Sequence, residues 1–181
     1  MDKIAENKPE NKAVQANKTK RLVFTALLFA VALVLSIVEN VLPPLPLPVP
    51  GVKFGLSNIA VMYALFFLDK GRAYMIAVLK AVFVMGTRGA IAGLLSLSGG
   101  IMSITIMMVF MLLFKEKISY LVISIIGAVF HNIGQFIVIT LIYEGMVLWA
   151  YLPVLLISGV IAGVITSTLL KYILPAFKRL V

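Results

Sequence analysis

The apolar residues of the chain fall into six long runs, separated by short polar or proline-rich segments. The runs cover residues 22–41, 55–68, 72–87, 92–114, 118–142 and 147–172. They lack the residue-by-residue alternation of a membrane barrel strand, so the pattern predicts six transmembrane helices. The second and third runs fall a little under the ~20 residues that a span usually needs, so we expect one of them to be tilted or broken.

Composition supports the same fold class. The chain has 181 residues, of which 62% are hydrophobic and 13% are charged, far from the balance of a soluble domain. No stretch after Arg21 leaves room for a separate soluble domain. We therefore predict an all-α, multi-pass integral protein of the cell membrane. It would have a disordered basic cytoplasmic tail at residues 1–20 and one six-helix transmembrane domain at residues 21–181.

The positive charges predict the orientation of the chain. Its formal net charge is +9, but six of the sixteen Lys and Arg residues precede the first apolar run and most others lie at the ends of the runs, which indicates the lipid bilayer and not a nucleic acid as the partner. With the N-terminus inside, thirteen of the sixteen Lys and Arg residues lie in cytoplasmic segments. The other three are Lys53, Lys80 and Arg88. We therefore expect both termini to be cytoplasmic.

A proline-rich connector joins the first two runs. Five prolines lie between Pro43 and Pro50, and because each lacks a backbone donor and fixes φ, no helix can pass through the segment. The orientation places the connector outside the cell, with Lys53 at the membrane boundary. The sequence thus predicts a stiff external segment between two helices.

Polar side chains inside the apolar runs are the candidate substrate contacts, because such groups are costly in a membrane unless they are paired or line a wet cavity. Most of them converge on the outer half of the predicted bundle, and one histidine cluster lies near the middle of the fifth run. The candidates are Glu39, Asn40, Lys53, Asn58, Lys80, Arg88, Ser96, Ser98, Gly99, His131, Asn132 and Gln135.

Each of these candidates has a structural alternative. His131, Asn132 and Gln135 could hydrogen-bond to neighbouring helices, as polar residues in membrane bundles often do. Lys80 and Arg88 share a face of the third helix, where they could bind a carboxylate or phosphate of a substrate. They could equally pair with Glu39 or Glu144, and the sequence does not decide between these roles.

Small residues four apart mark two close helix contacts. Ala26 and Ala30 lie on one face of the first helix, and Gly159 and Gly163 lie on one face of the last. The first pair fits either an internal contact or a docking face for a partner protein. We interpret the second pair as packing inside the bundle.

Signatures of an enzyme are missing from the sequence. The chain has no cysteine and one histidine, which leaves no usual set of metal ligands. Its only aspartates are Asp2 and Asp69, so no paired aspartates can hold magnesium against a diphosphate. There is also no glycine-rich phosphate loop that ends in Lys-Ser or Lys-Thr. We therefore expect no catalytic site, no cofactor and no metal, and another subunit would have to supply energy for uphill transport.

Three motifs together resemble a known family. They are PGVKFGLSNI at 50–59, LLSLSGG at 94–100 and HNIGQ at 131–135. In this order they look like the Gx transporter family, whose members are often labelled heptaprenyl diphosphate synthase component I. The family is grouped with the substrate-binding S components of energy-coupling factor (ECF) transporters. The resemblance covers about Arg21 to Tyr172.

The resemblance implies a six-helix protein that captures a small molecule from outside and docks on a transmembrane coupling protein with two cytoplasmic ATPases. In S components an Ala-x-x-x-Ala face on the first helix meets the coupling protein, and Ala26 and Ala30 match it. The loop between the first two helices covers the substrate, which here is the proline-rich connector. The later helices supply much of the pocket, which fits Ser98, Gly99, His131 and Gln135.

Three hypotheses follow. The leading one is the S component of an ATP-driven importer for a small anionic or amphipathic molecule, such as an isoprenoid, a quinone-like compound or a flavin. The second is a membrane component of an isoprenoid-synthesising enzyme, which would need a soluble catalytic partner. The third is a stand-alone secondary carrier, which Glu39 and Glu144 fit poorly because they lie at helix ends and not near the midplane.

Overall fold

The computed structural model describes residues 8–41, 55–114, 118–143 and 148–178, and within these ranges the chain is helical with no strand. A single 3₁₀ turn, Leu148–Tyr151, precedes the last helix. The six α-helices are α1 (Lys8–Val41), α2 (Asn58–Phe67), α3 (Lys70–Arg88), α4 (Ala90–Phe114), α5 (Tyr120–Ile142) and α6 (Leu152–Lys178).

The predicted all-α membrane class is confirmed, but only four of the described helices are long and apolar enough to cross a bilayer. These four are the Lys18–Val41 part of α1, then α4, α5 and the Leu152–Tyr172 part of α6. The ten residues of α2 rise about 15 Å, half the thickness of a hydrocarbon core. Six spans and the orientation of the termini therefore stay predictions.

The first helix begins earlier than the sequence suggested. α1 starts at Lys8, inside the segment 1–20 for which we predicted a disordered tail. Extending an existing helix adds a hydrogen bond for each residue without a new nucleation cost, and Ala13 and Ala16 favour this extension. The polar sequence therefore continues the apolar helix over its described part.

The shortest helix lies at the centre of the bundle. α2 packs against α1, α3, α4 and α6, and all seven residues from Ile59 to Leu65 are buried. The main hydrophobic core forms around it and includes Leu28 of α1, Ile76 of α3 and Leu170 of α6. A helix that is apolar on all sides suits this enclosed position.

Short polar segments end the helices and fix where α3 and α5 begin. Asp69 caps α3 by accepting a 2.8 Å hydrogen bond from the Arg72 backbone N–H, and Ser119 caps α5 in the same way through Val122. Gly89 separates α3 from α4 with φ of +94°, which favours glycine. This tight turn brings the end of α3 beside the start of α4.

The seam, as we call the contact surface between α4, α5 and α6, depends on glycines. A Cβ atom added at Gly134 of α5 would lie 2.9 Å from the Ser98 carbonyl oxygen of α4, and one added at Gly163 of α6 would lie 2.5 Å from the Ile125 Cα atom of α5. These backbones approach too closely for any side chain. The predicted role of Gly159 and Gly163 in internal packing is confirmed, since an added Cβ at Gly159 would lie 3.0 Å from Val129.

Candidate functional site

A polar cavity opens where the end of α1, the start of α2 and parts of α3, α4 and α5 meet. Its volume is about 60 Å³. This is room for several water molecules, because one water needs ~10–15 Å³ measured in the same way. Its lining residues are Ser36, Glu39, Gly55, Ser57, Asn58, Lys80, Val84, Arg88, Ala92, Leu95, Ser96, His131 and Gln135.

Lys80 is the most deeply buried charge of the polar cavity. Its side chain is 3% exposed, and its ammonium donates hydrogen bonds to Asn58 Oδ1 at 2.5 Å and to Ser57 Oγ at 3.3 Å. It makes no ion pair with Glu39; within the described ranges, the ion pair that forms joins Arg72 to Asp69. The Glu39 carboxylate lines the same cavity and attracts the ammonium without forming an ion pair, so Lys80 keeps a capacity to bind an anion.

Glu39 ties α1 to the start of α2. The carboxylate is 6% exposed and accepts a hydrogen bond from the backbone N–H of Gly55. Gly55 has φ of +69°, a left-handed conformation that side-chain-bearing residues rarely adopt. Glu39 makes no ion pair with Lys80, although its charge acts on the ammonium across the polar cavity, and it orients the backbone that leads into Ser57 and Asn58.

His131 and Gln135 form the α5 wall of the polar cavity. The imidazole is 7% exposed, and its Nε2 atom lies 3.2 Å from the Gln135 side-chain nitrogen. Its other ring nitrogen, Nδ1, faces the backbone of Gly99. The ring packs against Gly99, where an added Cβ would lie 2.8 Å from it. Gly99 therefore contributes space for the histidine and does not itself line the cavity.

Besides Gly99, three more of the predicted site residues do not line the polar cavity. Asn132 turns to α6, where its amide donates to the Leu155 carbonyl oxygen at 2.9 Å and to Ser158 Oγ at 3.2 Å. Ser98 donates to the Leu95 carbonyl oxygen of its own helix at 3.1 Å. Asn40 is exposed, one position beyond the buried Glu39. For Asn132 the structural alternative, hydrogen bonding to a neighbouring helix, is the one that the structure shows.

The remaining predicted site residues either lie in the wall or at the edge of the polar cavity or fall outside the described residues. Ser96 is buried in the wall of the polar cavity, and Arg88 is exposed at its edge. Lys53 and the rest of the 42–54 connector lie outside the described residues, as does Glu144. Their roles remain predictions.

Sequence reasoning missed several lining residues for which a signal existed. Ser36 precedes Glu39 by three positions and shares its helix face, and Ser57 is next to Asn58. Both are buried hydroxyls. By contrast, Val84, Ala92 and Leu95 carry no chemical signal that separates them from other apolar residues.

The pair of alanines on α1 lies apart from the cavity. Ala26 and Ala30 are both exposed, while Leu28 and Ala32 on the opposite side are buried against the bundle. α1 packs mainly against α2 and α3. The alanine face is therefore not used for an internal contact by the described residues.

The chemistry of the polar cavity suits recognition of a polar or anionic group. It combines two cationic side chains, a carboxylate, hydroxyls, two amides and an imidazole in a small space. Among the described residues, no three histidine, aspartate or glutamate side chains come together in a way that could hold a metal ion.

A match to a known family covers most of the chain. A family model described as heptaprenyl diphosphate synthase component I matches residues 28–173, which include all the lining residues of the polar cavity. A search of curated proteins and a search of solved structures each found no significant match.

Proposed function

The chain belongs to the heptaprenyl diphosphate synthase component I family, and from this premise we propose that it is the substrate-binding S component of an ATP-driven ECF-type importer. It would form a six-helix transmembrane bundle with both termini cytoplasmic, and would not itself be an enzyme. Its partners would be a small anionic or amphipathic substrate and a coupling protein with two ATPases.

The observation that carries the proposal is the buried cation in the polar cavity. Lys80 is hydrogen-bonded to Ser57 and Asn58, and the nearby Glu39 carboxylate attracts it without forming an ion pair. Burying an ammonium in this way is costly, and a leucine or methionine would pack the same space without that cost. A bound anion would offset this cost. Anion binding therefore explains why a lysine occupies the position, which packing alone does not explain.

The exposed alanine face of α1 supports the partner part of the proposal. Ala26 and Ala30 face away from the bundle, and exposed apolar side chains such as Val23 and Val34 accompany them. Small residues allow another helix to approach closely in a membrane. A coupling protein could therefore dock there without disturbing the polar cavity.

The test is co-purification with co-expressed ECF coupling protein and ATPases. We expect the wild-type chain to capture them, and the double change Ala26→Leu with Ala30→Leu to lose most of that capture because the added side chains keep the partner helix away. Ala90→Leu, at another exposed alanine, is the matched control and should behave as wild type. If the chain alone moves substrate into proteoliposomes, the importer-subunit proposal is wrong.

The family description favours a second candidate, a membrane component of an isoprenoid-synthesising enzyme. The chain has no paired aspartates for magnesium and diphosphate, so this function would require a soluble catalytic partner. The same co-purification separates the two candidates. Capture of a soluble prenyl-transferring subunit in place of ATPases would favour the enzyme component.

A further inference from the structure

A second cavity lies next to the polar cavity and shares Gly55 and Asn58 with it. Its volume is about 20 Å³, and it extends between α2, α4, α5 and α6 toward the centre of the bundle. Its other lining residues are Val61, Met62, Gly100, Ser103, Met107, Gly127, Ala128 and Thr166.

The two cavities differ in chemistry. The described lining of the second cavity contains no charged side chain; apart from Asn58, its polar groups are the hydroxyls of Ser103 and Thr166. Two of its walls are methionines, which have three rotatable bonds and adapt to irregular apolar partners. This lining favours hydrocarbon or aromatic surface over a charged group.

The methionine side chains that line the second cavity are flexible. Met107 fills the space that Gly127 leaves, since a Cβ at that glycine would lie 2.5 Å from the Met107 sulfur. The three rotatable bonds of this side chain let it adapt its shape to an apolar group that enters the second cavity.

The position of Asn58 connects the two spaces. This residue accepts a hydrogen bond from Lys80 in the polar cavity, and Val61 and Met62 follow it by about one turn of α2. One turn is about 5 Å, which is the length of a few carbon–carbon bonds. A group held at Lys80 would thus lie within a short chain length of the apolar walls.

We propose that the two cavities form one continuous binding site for an amphipathic molecule. Its anionic group would bind at Lys80, and its apolar part would enter the second cavity between α2, α4 and α5. This proposal rests on the proposed function, because it names the class of substrate that the same site takes.

The test uses methyl, ethyl, propyl and butyl phosphate as probes of the purified chain in lipid nanodiscs. Affinity should rise along the series by up to about fourfold for each methylene that enters the second cavity. Thr166→Leu fills that cavity and should flatten the series. Thr168→Leu is the matched control, because the exposed Thr168 lies two residues further along α6 with its hydroxyl bonded to the Val164 carbonyl oxygen, and its series should stay steep.

Ala128→Leu is a second filling variant on a different helix, for the case in which Thr166→Leu does not fold. An affinity that is flat from methyl to butyl in the wild type overturns the inference, as does a complete lack of binding. A series that stays steep in a folded filling variant also overturns it, because hydrocarbon would then bind elsewhere. Capture of the coupling protein is measured separately, so a failure here can be told apart from failure of the importer-subunit function.

Discussion

The seam between α4, α5 and α6 is close-packed and its polar groups are largely paired, whereas the polar cavity holds a buried lysine and a buried histidine around an open space. At the seam, Gly134 and Gly163 bring backbones together and Asn132 bonds across to α6. At the cavity, Lys80 is hydrogen-bonded only to neutral oxygens, and the Glu39 carboxylate attracts it without an ion pair. Polar residues in one bundle thus either close a helix contact or line an open space, depending on the surrounding helices.

The largest effect that separates the two regions is expected at Lys80. Lys80→Met keeps the length and removes the charge, so the affinity for an anionic substrate should fall about 100-fold, or about 2.7 kcal/mol. Folding should persist, because water in the cavity can satisfy Ser57 and Asn58. Binding is measured by titration with the substrate or with methyl phosphate.

Lys70→Met is the matched control on the same helix, where the lysine is exposed. It should bind as wild type. Unchanged affinity in a folded Lys80→Met protein would show that Lys80 does not bind the substrate. The cavity would then not differ from the seam in the role of its polar residues.

Substitutions at the seam should lower the stability of the fold and leave substrate binding by the folded protein unchanged. Gly163→Ala forces α6 away from the Ile125 backbone of α5, and we expect a loss of about 1–3 kcal/mol in the free energy of unfolding. Thermal unfolding in nanodiscs measures it. Gly86→Ala is the control, because an added Cβ there meets nothing within 4 Å, and alanine should stabilise that helix position by about 0.5–1 kcal/mol. Equal behaviour of the two variants would contradict the close packing of the seam.

The smallest expected effects compare the seam and the cavity at two adjacent residues of α5. Asn132→Ala removes two hydrogen bonds to α6 and should cost about 1 kcal/mol of unfolding free energy while the folded protein binds substrate normally. His131→Ala should weaken binding with less effect on unfolding. The two measurements are paired for each variant. Lost binding in a folded Asn132→Ala protein would show that the seam and the cavity act as one unit.

The sequence predicted much of the cavity because charged and amide residues are conspicuous in apolar runs. Glu39, Asn58, Lys80 and His131 were all found in this way, and the cavity brings them together. What it could not predict is where neighbouring residues point. His131 and Asn132 are about 100° apart around α5, so one faces the cavity and the other α6, and only the arrangement of the surrounding helices decides which.

The number of helices was likewise predictable, but not their depth. An apolar run can span a membrane or be enclosed by other helices, and α2 is ten residues long and almost wholly buried. The polar start of α1 was missed for a related reason. Composition suggested a separate tail, whereas continuity with an apolar helix favours further helix.

The central claim is that the polar cavity binds an anionic small molecule through Lys80. The most direct measurement is mass spectrometry of the molecule retained after mild purification of the wild type, Lys80→Met and Lys70→Met. We predict an anionic compound at near-equal amounts in the wild type and Lys70→Met and its loss from Lys80→Met. Retention of the same compound by folded Lys80→Met protein, or a retained compound without an anionic group, would contradict the claim.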